Sequence, residues 1–322
     1  YPESTVYWIT QKSSHPILAN NPYIDHSYIW DDESRMILRN IEFDVLMNGD
    51  KSVYACAFAN EINAKEKFGF ILDSSGKIMP ANESAMYNYM MGIDDKLKFR
   101  ENNRSGSEII HESFGLEYER NDYVFDFSDA EIEFIEKYKS QINYDPSRVY
   151  VGFNTGCSNL FPNKKMTVEQ HIELIKSLSV YDNLKIVLLG GKEDTERNLK
   201  IFEGLGKAMQ DNIIYTPTNL GLRNGACFMN ICDIIVTGDS FGMHLAIALK
   251  KYVIAWFGLS CWNEIDLFDR GEKLYPEGLE CAPCWKKQCP FNLECIDMIN
   301  LSKITELVRK YSLVKTLISH KN

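Results

Sequence analysis

Short runs of β-branched and aromatic residues alternate along this chain with stretches whose apolar residues recur every three or four positions. A two-residue period alternating with a helical one predicts α/β architecture. In the first half, Val6–Thr10, Phe43–Met47 and Lys67–Phe70 read as strands, and Val53–Glu61 and Gly106–Phe114 as helices. A longer helix is predicted over Asp129–Gln141, capped by Ser128, with Ile132, Ile135 and Tyr138 on one face.

A polar turn cluster, Asn143-Tyr144-Asp145-Pro146-Ser147, then marks a boundary. Beyond it the alternation is regular. Strands are predicted at Val149–Asn154, Lys185–Leu189, Asn212–Tyr215, Asp233–Thr237 and Tyr252–Phe257. Helices are predicted between them at Thr167–Leu178, Thr195–Gly204, Leu222–Asn230 and Met243–Leu249. A last helix, Ser302–Ile318, carries Ile304, Leu307, Tyr311, Val314 and Ile318 on one apolar face. Repeated βα units imply a mostly parallel, doubly wound sheet. The expected division is two Rossmann-like domains, 1–145 and 146–322. The first opens on a loop and an outer strand rather than on a central strand with its ligand loop. A first strand and loop are therefore expected upstream of Tyr1.

Composition narrows the class. Hydrophobic residues make up 45% and charged residues 25%, a globular mix. Apolar runs such as Ile186–Leu189 and Val253–Phe257 are of strand length, far short of a membrane span. The opening Tyr1-Pro2-Glu3-Ser4 has no basic segment leading into an apolar one, so no signal peptide is expected. A net charge of −10 without a dense Lys/Arg block argues against nucleic acid. It leaves room for a diphosphate, which backbone amides at helix ends can hold. Nine cysteines, an odd number, suggest reduced thiols rather than a disulfide framework.

The strongest local signal runs from Ile234 to Ala246, where an apolar strand ends in Gly238-Asp239-Ser240-Phe241-Gly242 and opens into Met243-His244-Leu245-Ala246. Such a turn places free amides and the positive end of a helix at the carboxyl edge of a sheet. Asp239 or Ser240 can cap the helix, Gly242 permits close backbone approach, and His244 falls in the first turn. The bland alternative is a capped βα turn beside a core histidine. The same five residues also spell the G-x-S-x-G nucleophile elbow, so a serine hydrolase is a rival reading. Its triad would need a histidine after Ser240, and only His244 and His320 qualify. His244 shares the elbow's own helix, and His320 is two residues from the last. The nucleophile lacks a convincing base.

Two further loops follow strands. Gly190-Gly191-Lys192-Glu193 offers Glu193 to the hydroxyls of a ribose. Asn154-Thr155-Gly156, with Lys164-Lys165 beyond, offers amide, hydroxyl and ammonium to phosphate oxygens. Each alone is an ordinary polar loop. Together they occupy equivalent sheet edges of one domain. No G-x-G-x-x-G or Walker A sequence is present, which disfavours NAD enzymes and P-loop NTPases.

In order, these loops resemble the donor domain of glycosyltransferase family 9, the heptosyltransferases, and the resemblance runs from about Val6 to the end. The family's Lys-x-Trp-Pro segment is matched by Lys164-Lys165-Met166-Thr167. Its Gly-Gly loop with a following acid is matched by Gly190-Gly191-Lys192-Glu193. Its Asp-Thr-Gly-x-Met-His-Leu-Ala segment is similar to Asp239–Ala246, and its Phe-Gly-Pro-Thr strand end to Phe257-Gly258-Leu259-Ser260. Phe43-Asp44-Val45-Leu46 and Lys65–Phe70 resemble first-half segments. Phe241 replaces a glycine, and Met166-Thr167 replace Trp-Pro.

The resemblance implies a GT-B fold, two Rossmann-like domains facing a cleft. The first would bind an acceptor (lipopolysaccharide core, another surface glycan or a protein), and the second a sugar nucleotide such as ADP-heptose. It implies an inverting, metal-independent transfer in the cytoplasm, with peripheral contact at the cytoplasmic face of the inner membrane. By match, Lys164 would contact donor phosphate and Glu193 the ribose. Asn154, Thr155, Asp239, Ser240, Gly242, Met243 and His244 would surround the diphosphate. The family's general base lies on the loop after the first strand, expected here upstream of Tyr1.

Finally, Cys281-x2-Cys284-x4-Cys289-x5-Cys295 gathers four soft ligands within fifteen residues. That spacing suits tetrahedral zinc or iron, in a structural role because four thiolates close the coordination sphere. Related cysteines recur in the family, some with iron. The alternative is a reduced loop without metal. A third overall reading keeps the fold as a metal-stabilised scaffold without catalysis.

Overall fold

A computed structural model describes residues 3–319. The chain divides into two compact units, 1–122 with 263–266, and 123–262 with 267–322.

The first unit begins with parallel strands β1 (Tyr7–Thr10) and β2 (His26–Ile29). Helix α1 (Asp32–Arg39) follows, its first turn closed by the Asp31 carboxylate accepting from Ser34 N–H. Strand β3 (Glu42–Asn48) leads through a Ser52 cap into α2 (Val53–Glu61) and then β4 (Asn63–Leu72). β3 and β4 are parallel, and β5 (Ile78–Pro80) turns back antiparallel on β4. Gly69 in β4 has φ +84° opposite Asn48, and a Cβ there would meet the Asn48 carbonyl oxygen at 2.0 Å. Only glycine lets the strands pair at that point. Helices α3 (Met86–Met90) and α4 (Gly106–Ser113) complete the unit.

Leu38, Phe58 and Ile62 form one core cluster, with Tyr7, Ile9, Trp30 and Phe43 packed against it. The rings of Tyr7 and Phe43 meet edge-on at 5.4 Å across the two sheets. Among the described residues β1 bonds only to β2, and β3 only to β4 and through it to β5. Strand β2 escaped the sequence reading because His26-Ser27-Tyr28-Ile29 is short and half exposed, and the eight-residue α1 behind it was passed over as well.

The second unit opens with α5 (Asp129–Gln141), where the expected cap Ser128 forms a capping box with Glu131. It then runs β6 (Val149–Asn154), α6 (Val168–Leu178), β7 (Leu184–Leu189), α7 (Thr195–Gly204), α8 (Lys207–Gln210) and β8 (Ile213–Tyr215). α9 (Leu222–Asn230), β9 (Ile234–Gly238), α10 (Phe241–Ala248), β10 (Tyr252–Trp256), β11 (Gly271–Leu274), α11 (Glu294–Asp297) and α12 (Leu301–Ser319) follow. The strands form one parallel sheet in the order β11-β10-β9-β6-β7-β8. Every residue of β6 is buried, as expected of a central parallel strand covered on both faces. Val149, Val151, Phe153, Leu174, Leu178, Ile304 and Val308 belong to its main core. Of the predicted face of α12, Ile304 and Leu307 are buried, with Val308 beside them, and Tyr311 is half-buried, but Val314 is 50% exposed because the core contact ends before the last turns; the side chain of Ile318 lies outside the described residues.

Helix α5 belongs to this second unit, so the division falls at Asp122/Tyr123, ahead of the polar turn at 143–147. The reason is packing: the Phe134 and Tyr138 rings sit 5.6 and 4.7 Å from Phe228 on α9. Arg223 on α9 also grips Glu131 at 2.5 Å, and that hydrogen bond holds the Glu131 carboxyl down at about 2.

Candidate functional site

The strand order reverses on either side of β6, with β7 and β8 to one side and β9, β10 and β11 to the other. Open α/β sheets bind ligands outside the carboxyl ends of their strands at such a reversal. β6 and β9 end together, Asn154 paired with Thr237, so the Asn154 and Gly238 loops leave the sheet side by side.

Asn154 ties them. Its amide is 8% exposed and donates to the hydroxyls of Thr237 at 2.9 Å and Ser240 at 3.0 Å. Ser240 is the N-cap of α10 but does not cap it through its side chain. The first amides of a helix have no partner within it, so those of Phe241 and Gly242 are available at the positive helix end. Gly242 is required by the fit: a Cβ there would stand 2.6 Å from the Asn154 side-chain amide.

Lys164 comes from the turn of Pro162–Lys164. Its Nζ lies 2.7 Å from Asp239 Oδ2, with both side chains largely shielded. His244, one turn into α10, completes the group. Burial lowers its pKa, which Asp239 opposes and Lys164 reinforces. An imidazole here can donate a hydrogen bond in either protonation state. Its ring stacks at 6.1 Å on Tyr123.

The structure thus brings together Asn154, Lys164, Asp239, Ser240, Gly242 and His244. Other expected residues lie elsewhere. Thr155 is 1% exposed and its hydroxyl is taken by Asn198, while Met243 is wholly buried. Glu193 is exposed on the turn Lys192–Asp194. Next to it, Asp194 is the buried carboxylate: it accepts from Gly191 N–H at 2.9 Å and lies 3.8 Å from Lys165. A Cβ on Gly156 would collide with it. Burial raises the Asp194 pKa, against the pull of the Gly191 amide and Lys165. Arg197 braces the same loops by donating to the Thr155 and Met166 carbonyls. Sequence reading passed over Asp194 and Arg197; the signal was Gly156 and Gly190, whose small size makes room for Asp194, where a Cβ would come within 1.9 and 2.9 Å of its side chain.

Ser240 has φ −153° and ψ 171°, relaxed extended backbone, whereas a nucleophile elbow holds its serine in strain. Among the described residues no histidine ring is hydrogen-bonded to its hydroxyl, whose partners are Asn154 and Thr237, and His320 lies outside them. The hydrolase reading finds no support.

Cys281, Cys284, Cys289 and Cys295 line one small cavity under Gly258 and Leu259. Burial, then the sulfurs of Cys284, Cys289 and Cys281, push the Cys295 thiol up to about 11. Among the described residues no three His, Cys, Asp or Glu side chains are placed to hold a metal ion. Nor does any described helix have the length and apolarity to cross a membrane.

Comparison with known proteins agrees with this geometry. The sequence profile of glycosyltransferase family 9 (heptosyltransferase) matches residues 35–294. Lipooligosaccharide heptosyltransferase 2 of Campylobacter jejuni is 25% identical over 191 residues, 58% of each chain. Lipopolysaccharide heptosyltransferase 1 of Campylobacter coli is 24% identical over 276 residues, 79% of this chain and 75% of that one. The chain spans 58% and 56% of the length of two curated relatives from Campylobacter jejuni. Among solved structures, the glycosyl transferase family 9 protein of Veillonella parvula superposes with a TM-score of 0.73 at 15% identity, covering 97% of this chain and 89% of that one. The E. coli ADP-heptose LPS heptosyltransferase II gives 0.66 at 16%, covering 100% and 92%. These superpositions establish the GT-B fold. With more than half of its length matched by the family profile, the chain belongs to glycosyltransferase family 9.

Proposed function

We propose that this chain transfers a heptose or related sugar from a nucleotide diphosphate, ADP-heptose, to a lipopolysaccharide core or other surface acceptor, with inversion. The observation that carries the reading is the meeting of Lys164, Asp239, His244 and the α10 amides at the strand-order reversal. The names of the curated relatives support the transferred sugar. The ADP-heptose in the name of the E. coli enzyme supports the nucleotide.

In this reading the leaving ADP develops negative charge, which the α10 amides, Lys164 and His244 stabilise without reorganising. Asp239 keeps Lys164 in place until the diphosphate competes for it. Asp194, rather than the exposed Glu193, has the burial and pre-set orientation to receive the ribose hydroxyls. The acceptor belongs to the first unit. The enzyme acts in the cytoplasm, peripherally at the inner membrane, a reading supported by the odd count of nine cysteines, which suits reduced thiols better than a disulfide framework.

ADP should raise the thermal stability of the protein. At a hundredfold excess over Kd the gain is about 2.7 kcal/mol, a rise of about 5–10 °C for a unit of this size. An unchanged melting temperature at millimolar ADP would remove the donor assignment.

We also propose a structural zinc or iron ion among Cys281, Cys284, Cys289 and Cys295, supported by four soft donors around one cavity. As arranged the thiols do not form a coordination sphere, so the loop must draw in around the ion. Elemental analysis of protein purified without chelator should find about one metal per chain, lost in Cys284→Ser. A metal-free wild type of full stability would end this part of the reading.

A further inference from the structure

The cysteine-rich loop reaches the donor site through Trp285. Its backbone takes the left-handed conformation, φ +50°, which a residue with a side chain adopts only when its surroundings over-determine it. Here the N–H groups of Cys284 and Trp285 both donate to the Leu259 carbonyl, each at 2.9 Å, just beyond β10. Held this way, the indole lies over the Lys164 ammonium, 4.2 Å from Nζ to the ring centroid. Phe161 stands edge-on to Trp285 at 5.2 Å and 5.5 Å from the same Nζ. A second tie joins the segments, Asn163 Nδ2 donating to the Lys286 carbonyl at 2.9 Å. The Lys164 side chain is 12% exposed. Its ammonium is thus located by two ring faces and one carboxylate.

We infer that Trp285 is a positioning residue for the donor: acting through Lys164, it sets where the ammonium meets the diphosphate, and so makes the cysteine-rich loop a working part of the nucleotide site. A lysine on a flexible stem samples many rotamers, and a phosphate ligand gains from one that is already in place. An aromatic face confines the ammonium without competing for its hydrogen bonds, which stay available to phosphate oxygens. The inference rests on the reading of Lys164 as a donor ligand.

The test compares ADP with adenosine, which has the same base and ribose and no phosphate, by calorimetry and ligand-observed NMR. Trp285→Leu should weaken ADP about three- to thirtyfold, the range of a shielded cation–π contact, and leave adenosine unchanged. Trp285→Phe, which keeps a ring face and guards against misfolding of the leucine variant, should stay within about threefold of wild type. In a Lys164→Ala background, Trp285→Leu should have no further effect on ADP, the signature of one residue acting through the other. Equal loss for ADP and adenosine, or an undiminished effect in the Lys164→Ala background, would overturn the inference and leave the donor reading intact. A wild type that binds neither ligand would overturn both.

Discussion

Lys164→Ala should weaken ADP binding about a hundredfold while leaving the protein folded. A hydrogen bond to a charged partner contributes about 1.5–3 kcal/mol, which is ten- to more than a hundredfold in affinity. The upper end applies because the substitution does more than delete a contact. Asp239 lies 2.7 Å from the ammonium and is itself mostly shielded. Without Lys164 its carboxylate faces the incoming diphosphate uncompensated, and like charges at short range repel in a partly desolvated site. Lys164→Ala combined with Asp239→Asn should therefore recover part of the loss, about tenfold. Calorimetric titration with ADP reads both effects. Wild-type affinity in Lys164→Ala would show that the phosphates bind elsewhere, and no recovery in the double variant would show that the carboxylate does not face them.

Gly242→Ala should cost about 2–4 kcal/mol of stability in the second unit and remove ADP binding with it. A methyl at this position stands 2.6 Å from the head-group atoms of Asn154. That amide cannot swing aside cheaply, because it is buried and bonds Thr237 and Ser240 across the two loops. Moving it opens the junction of β6 and β9 and leaves buried hydroxyls without their donor. Gly225→Ala is the control. It lies in α9 with nothing within 4 Å of the added carbon, so it should be neutral or stabilise the protein by up to about 1 kcal/mol. Trimming the obstacle, Asn154→Ala with Gly242→Ala, should be less damaging than the sum of the two. Urea unfolding measures all four variants. A Gly242→Ala protein as stable as wild type would contradict the tight fit described for this loop.

Much of this site was written in local sequence. Ile234–Gly238 followed by Ser240 and an apolar helix can hardly fold otherwise than as a buried strand turning into a helix, since strand and helix periods meet at one polar turn. Lys164 and His244 were singled out from chain order and family likeness, and the structure brings them together beside Asp239. Glu193 illustrates the limit. It and Asp194 are adjacent acids after the same glycine pair, and composition cannot say which points inward. The turn's 3-10 geometry turns Asp194 under the loop to meet Gly191 N–H and leaves Glu193 in solvent. Met243 and Thr155 show the same limit in reverse: each stands next to a site residue, yet its side chain faces the core.

By itself the sequence determined the α/β class, the positions of the second-unit strands and helices other than the short α8, β11 and α11, and the family, because apolar periodicity and short loop motifs are local properties of a chain. Tertiary structure alone decided that α5 joins the second unit through Phe228 and Arg223. It alone set Trp285 over Lys164, and chose Asp194 over its neighbour for burial. These facts depend on which surfaces meet after the chain has folded, and contacts between residues far apart in sequence leave no periodic trace in it.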